Sequence, residues 1–146
     1  MKKVNFLLLS FAFVGSFLLT SCSKEAKIEK NLWNKGGEWS IESLTVNQTS
    51  TYAPDNYTET IVNAGTFFFK EDGAGTYTFT VDGDVESGLF TYSNTENQLT
   101  FIVDGDVRLF DIVEWEKNKL KISISETYQS DGETVNYSET YNLEKK

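Results

Sequence analysis

An all-β fold is predicted: an eight-stranded antiparallel up-and-down meander closed into a barrel. Three observations carry the prediction. From Glu38 onward the chain runs in short segments rich in Thr, Val, Ile, Tyr and Phe, broken by Asp-Gly and Asn-rich punctuation. Asp82-Gly83, Asp104-Gly105 and Asp131-Gly132 each sit between alternating apolar runs, the strongest short-range signal for a two-residue hairpin. No helical periodicity of useful length follows the N-terminal apolar run.

That apolar run comes first in the chain. Met1-Lys2-Lys3 is basic, and an apolar stretch follows with no charge between Val4 and Ser21. This is the layout of a secretory signal peptide. A spanning helix needs roughly 20 apolar residues, so an uncleaved anchor is the rival reading. The residues Leu19-Thr20-Ser21-Cys22 favour the first, because they resemble the lipobox of bacterial lipoproteins. The resemblance implies that Cys22 is acylated and becomes the first residue of the mature chain, which makes the membrane a partner through an N-terminal lipid. It also implies an outer-membrane address, periplasmic or surface-facing, since Ser23 is not the acidic residue that retains such lipoproteins at the inner membrane. Cys22 is the one cysteine of the chain, so no intramolecular disulfide can form. Two or more acyl chains anchor stably where a single one binds only marginally.

The expected organisation is a signal peptide over 1–21, an acylated tether over 22–35 and a barrel domain over 36–146. The tether is polar, with room for one helical turn where Ile28 and Leu32 stand four apart. Net charge is −9, and moves to −11 when Lys2 and Lys3 leave with the leader. Such a surface repels polyanions, which excludes nucleic acid as a partner. The sequence holds no His, removing the commonest general base and the commonest transition-metal ligand. No cofactor and no metal are expected.

The eight strands are expected at 38–48, 58–70, 75–82, 85–93, 98–104, 106–116, 119–129 and 133–144. Pro54 falls in the first loop, clear of any strand interior. Every later connection is short, so each strand pairs with the next. Closure removes the two edges that an open meander would leave. The alternative, a two-sheet sandwich, needs longer crossovers. Val81-Asp82-Gly83-Asp84-Val85 recurs as Val103-Asp104-Gly105-Asp106-Val107. Neither copy has the regularly spaced oxygen ligands of a calcium loop, so both read as hairpin turns.

Gly37-Glu38-Trp39 at the start of the first strand resembles the lipocalin signature. Thr66-Phe67-Phe68-Phe69 and the Gly-rich turn Asp72-Gly73-Ala74-Gly75-Thr76 are similar to the lipocalin-like domains of Gram-negative lipoproteins. The resemblance covers residues 32–143. It implies that Trp39 plugs one end of the barrel and that the barrel binds a small apolar molecule. It also implies an Arg from the last strand packed over the Trp. The one Arg of this chain, Arg108, lies instead in the sixth strand.

The last hairpin is the most informative segment. A two-residue turn at Asp131-Gly132 sets Glu126 opposite Tyr137, Ile124 opposite Glu139 and Ile122 opposite Tyr141. Glu126, Tyr128, Tyr137, Glu139 and Tyr141 then share one otherwise apolar face. Three uses of the two glutamates are open: an acid/base pair for glycoside hydrolysis, a polar handle in an apolar pocket, or carboxylates that are solvated at an open rim or satisfied by Arg108 or a Tyr hydroxyl. Candidate ligand-binding residues are therefore Glu126, Glu139, Tyr128, Tyr137, Tyr141 and Arg108. No nucleophile motif is present, and the function expected is non-catalytic binding of a small apolar or amphipathic molecule. The alternative is a structural or protein-binding surface lipoprotein whose barrel its own side chains fill.

Overall fold

The computed structural model describes residues 23–146. The predicted leader and Cys22 lie outside the described residues. Strands β1 (Glu38–Ser50), β2 (Tyr57–Phe69), β3 (Ala74–Val81), β4 (Asp84–Asn94), β5 (Gln98–Val103), β6 (Asp106–Trp115), β7 (Lys119–Ser130) and β8 (Glu133–Lys145) follow one another. Each pairs antiparallel with the next, and β1 pairs with β8 to close the barrel. All eight strands fall within a few residues of the expected positions. Asp82-Gly83, Asp104-Gly105 and Asp131-Gly132 all have positive φ at both residues, as a type I′ turn requires.

The tether is a correction. Residues Lys24–Trp33 form a helix, α1. Ser23 caps it by accepting the Ala26 N–H at 3.2 Å. Ile28 and Leu32 are fully buried against one end of the barrel. Sequence reasoning missed the helix because only one short apolar pair marks its buried side. Tertiary packing stabilises a ten-residue helix that would be marginal alone.

This helix makes one end of the barrel a closed end. The Asn94 side chain donates to the Glu25 carbonyl at 3.1 Å, and the Asn31 side chain donates to that of Glu116 at 3.3 Å. The β4–β5 and β6–β7 turns are thereby tied to α1. Gly37 links helix to strand at φ 69, and a Cβ there would meet the Phe69 carbonyl oxygen at 2.0 Å. That explains the glycine of Gly37-Glu38-Trp39: backbone passes too close for any side chain. Trp39 is 0 % exposed, and its indole N–H donates to the Leu32 carbonyl at 2.9 Å. The Arg that the resemblance implies over Trp39 is not there; a lysine of the last strand takes the place. Lys145 Nζ of β8 stands 5.1 Å from the ring centroid and also donates to the Asn31 carbonyl and, at 2.7 Å, to Asn34 Oδ1.

The opposite end is open because three seams stop short. β2 pairs with β3 only from Gly65 to Phe69, and β6 with β7 only from Asp111 to Trp115. Beyond those points β7, β8, β1 and β2 form one wall; the other is made of the β3–β4 and β5–β6 hairpins, whose shared seam runs only from Thr91 to Asn94 of β4. β2 bends at Asn63 and Gly65, which have φ 53 and 138. A Cβ at Gly65 would strike the Thr78 carbonyl oxygen at 1.8 Å. A bulge between Ile112 and Glu114 bends β6 beside the β6–β7 seam.

Candidate functional site

Inside the barrel the two halves differ. Toward the closed end Ile28, Leu32, Trp39, Ile41, Leu99 and Ile122 fill the space. Above them lies a layer of rings. Phe67 stands edge-on to Phe79, Phe90 and Phe101 with centroids 5.3–5.9 Å apart, and Phe90 stacks on Phe101 at 4.7 Å. Beyond that layer is a cavity of about 400 Å³ reaching the open end. Its floor is Phe67, Phe90, Phe101, Phe110 and Tyr141; Tyr77, Phe79 and Val103 form one side. Glu86, Asp104 and Asp106 stand at its exposed rim, and Arg108 faces it from β6.

A polar cluster backs one wall. Glu139 is 9 % exposed and has both carboxylate oxygens occupied. Arg108 Nη2 donates to Oε1 at 2.9 Å, Tyr137 OH to the same oxygen at 2.8 Å, and Tyr141 OH to Oε2 at 2.6 Å. Burial alone pushes the carboxyl pKa up, but the Tyr141 hydrogen bond, the Arg108 charge and the Tyr137 hydrogen bond outweigh it. The net shift is down from the usual value, so Glu139 is ionised at neutral pH. Burial, and then the hydrogen bond or charge of Glu139, push both tyrosines well above the ordinary phenol value. Arg108 is further held over the Phe110 ring, 5.4 Å from its centroid.

The six candidate residues separate into three pairs. Arg108 and Tyr141 line the cavity. Glu139 and Tyr137 stand behind them, connected through hydrogen bonds. Glu126 and Tyr128 keep the expected register, opposite Tyr137 and Val135, yet both are exposed, Tyr128 at 45 %. This corrects the expectation of a shared concavity. β7 has no β6 partner past Ser123, so its inward face there looks into the gap between the walls. An acid/base pair is not assembled: Glu126 is in water, and Glu139 is consumed by three donors. Of the three uses weighed for the glutamates, Glu139 takes the third, satisfied by Arg108 and tyrosine.

Sequence reasoning missed Glu86, Asp104 and Asp106 as cavity residues. A signal was available. Glu86 shares its strand phase with Gly88, Phe90 and Tyr92, and Asp106 shares one with Arg108 and Phe110. A carboxylate on an otherwise aromatic phase marks the point where an interior meets water. Among the described residues no group of His, Cys, Asp and Glu is arranged to hold a metal ion.

No family model matches this chain, and no curated protein does. Among solved structures, a deswapped triple mutant of bovine odorant binding protein is similar, with TM-score 0.41 and 16 % sequence identity. The match covers 76 % of this chain and 73 % of that one.

Proposed function

We propose that this chain is a lipid-anchored, lipocalin-like binding protein that holds a small apolar or amphipathic molecule in the open half of its barrel, without catalysis. The observation that carries the reading is the cavity. At about 400 Å³ it lies within the range of roughly 300–1,000 Å³ usual for small-molecule sites. It is walled by aromatic rings and furnished with a few polar groups. The side-chain-filled alternative describes the closed half only. Replacing Val103, which lines the cavity and is half-buried, by Trp should occupy the space. The full chain in zwitterionic lipid nanodiscs should bind 2-naphthalenemethanol above an empty-disc blank. Val103→Trp should weaken that binding by about tenfold or more, the equivalent of about 1.4 kcal/mol. Equal binding by parent and variant would leave the cavity without a role.

The anchor is the lipobox Cys22. The described chain enters the fold at Ser23, the cap of α1, so a lipid on Cys22 holds the closed end near the membrane and turns the mouth away from it. Every lysine from Lys24 onward belongs to α1 or the turn that follows it, to the β2–β3 or β6–β7 connections and strand ends beside them, or to the C-terminus. All of these are at the closed end, where they suit a surface of phosphate head groups. Cys22→Ala should leave the barrel folded and move the protein from the detergent phase to the aqueous phase on cloud-point partitioning. Retention of the variant in the detergent phase would mean that an uncleaved leader holds it.

A further inference from the structure

We propose that the ligand is cationic: an ammonium or similar head group on an aromatic or aliphatic body, seated with its charge at the mouth between Tyr77, Phe79, Glu86 and Asp106. This rests on the cavity being a binding site, and it goes on to name the charge of what binds.

The first ground is the balance of charge around the opening. Arg108 is the one cationic side chain lining the cavity, and its ion pair with Glu139 at 2.9 Å leaves that wall neutral. Glu86, Asp104 and Asp106 have no salt bridge among the described residues. Glu86 and Asp106 are carried on inward-facing phases, opposite Phe79 and Val103 respectively. The surroundings add to this field. The hairpin turns of the open end bring Asp82, Asp84, Asp104, Asp106, Asp131 and Glu133 to the same end of the barrel, while the lysines stand at the other. An anion would have to pass this ring and find no free cation inside. A cation is drawn in and concentrated there.

The second ground is the aromatic geometry, independent of the carboxylates. Tyr77 and Phe79 are only half-buried, with centroids 5.4 Å apart and planes at 45°. The Tyr77 ring lies directly on Gly88, where a Cβ would come within 2.6 Å of it. A side chain at position 88 would displace the ring from the cavity wall. Two inclined ring faces beside carboxylates are the arrangement that holds ammonium groups by cation–π attraction. The Phe110 face is already covered by Arg108, which leaves the Tyr77–Phe79 side for the ligand. Tyr77 itself registers the local field: burial first, then the charges of Glu86 and Asp104, raise its pKa.

Three probes with one aromatic body decide the matter: (2-naphthylmethyl)trimethylammonium, 2-naphthylacetate and 2-naphthalenemethanol. They are titrated calorimetrically into the full chain in zwitterionic nanodiscs, against empty discs. The ammonium probe should bind at least about tenfold more tightly than the acetate at low ionic strength, and the ratio should shrink at about 0.5 M salt. Glu86→Gln combined with Asp106→Asn should lower the ratio to about threefold or less, with each affinity taken relative to that of 2-naphthalenemethanol for the same protein. Acetate binding as tight as ammonium overturns the proposal and assigns the head group to Arg108; a ratio unmoved by the double substitution overturns it by removing Glu86 and Asp106 as the source of the preference. Failure of all three probes to bind overturns the cavity reading itself, and this inference with it.

Discussion

Trp39→Ala should destabilise the barrel by about 3–5 kcal/mol, the usual cost of deleting a large aromatic side chain from a packed core. Trp39 is 0 % exposed, and it joins the barrel to α1 rather than merely filling space. Its N–H satisfies the Leu32 carbonyl at 2.9 Å, and its ring face carries the Lys145 ammonium. Removing the ring opens a cavity at the closed end and leaves Leu32 and Ile28 facing it. Urea unfolding followed by far-ultraviolet circular dichroism measures the loss. Trp39→Phe separates the contributions, since it keeps most of the apolar volume and removes the hydrogen bond, for a cost of about 1 kcal/mol. A Trp39→Ala variant within about 1 kcal/mol of the parent would mean that α1 and the strand ends close the barrel without the plug.

The barrel was legible in the sequence because its determinants are local. Three Asp-Gly turns fix three hairpins, and alternation fixes which residues face inward; the observed register of β7 and β8 follows from Asp131-Gly132 alone. What strand alternation cannot show is where a wall ends. Glu126 and Tyr128 have the inward phase, but their neighbour strand has already diverged at the β6 bulge, and a residue facing inward beside a missing strand faces water. The seams depend on Gly65 approaching Thr78 and on the bulge near Val113, both long-range facts of packing. The helix was hidden for a related reason. Ile28 and Leu32 become a buried stripe only when a barrel end stands beneath them. The Arg108–Glu139 pair was readable as one of three possibilities, because chain chemistry names the partners of a buried carboxylate before geometry selects among them.

Glu139→Ala should cost about 2–4 kcal/mol, since it strands three donors that now share one buried carboxylate. The Tyr141 hydroxyl is the most enclosed of them and loses its 2.6 Å acceptor. Arg108, half-buried, would be left at the cavity wall without its counter-charge. The pH dependence gives a second and more specific readout. The folded-state pKa of Glu139 lies below its ordinary value of 4.5. The folded protein therefore binds fewer protons there than the unfolded chain. The stability it contributes is fully present above the unfolded value and is lost as pH falls through the lowered folded one. Tyr137 and Tyr141 behave oppositely, with pKa values raised above 10.0. Their contribution is present below that value and declines as pH rises past it. The parent should thus show a stability plateau bounded by an acid limb below about pH 4.5 and an alkaline limb above about pH 10. Glu139→Ala should flatten the acid limb, because its group is gone. It should also weaken the alkaline one, because the charge opposing phenolate formation is gone with it. Denaturant midpoints measured from about pH 3 to about pH 11 test this. An acid limb as steep in the variant as in the parent would assign acid sensitivity to other carboxylates and reduce Glu139 to a packing role behind Arg108.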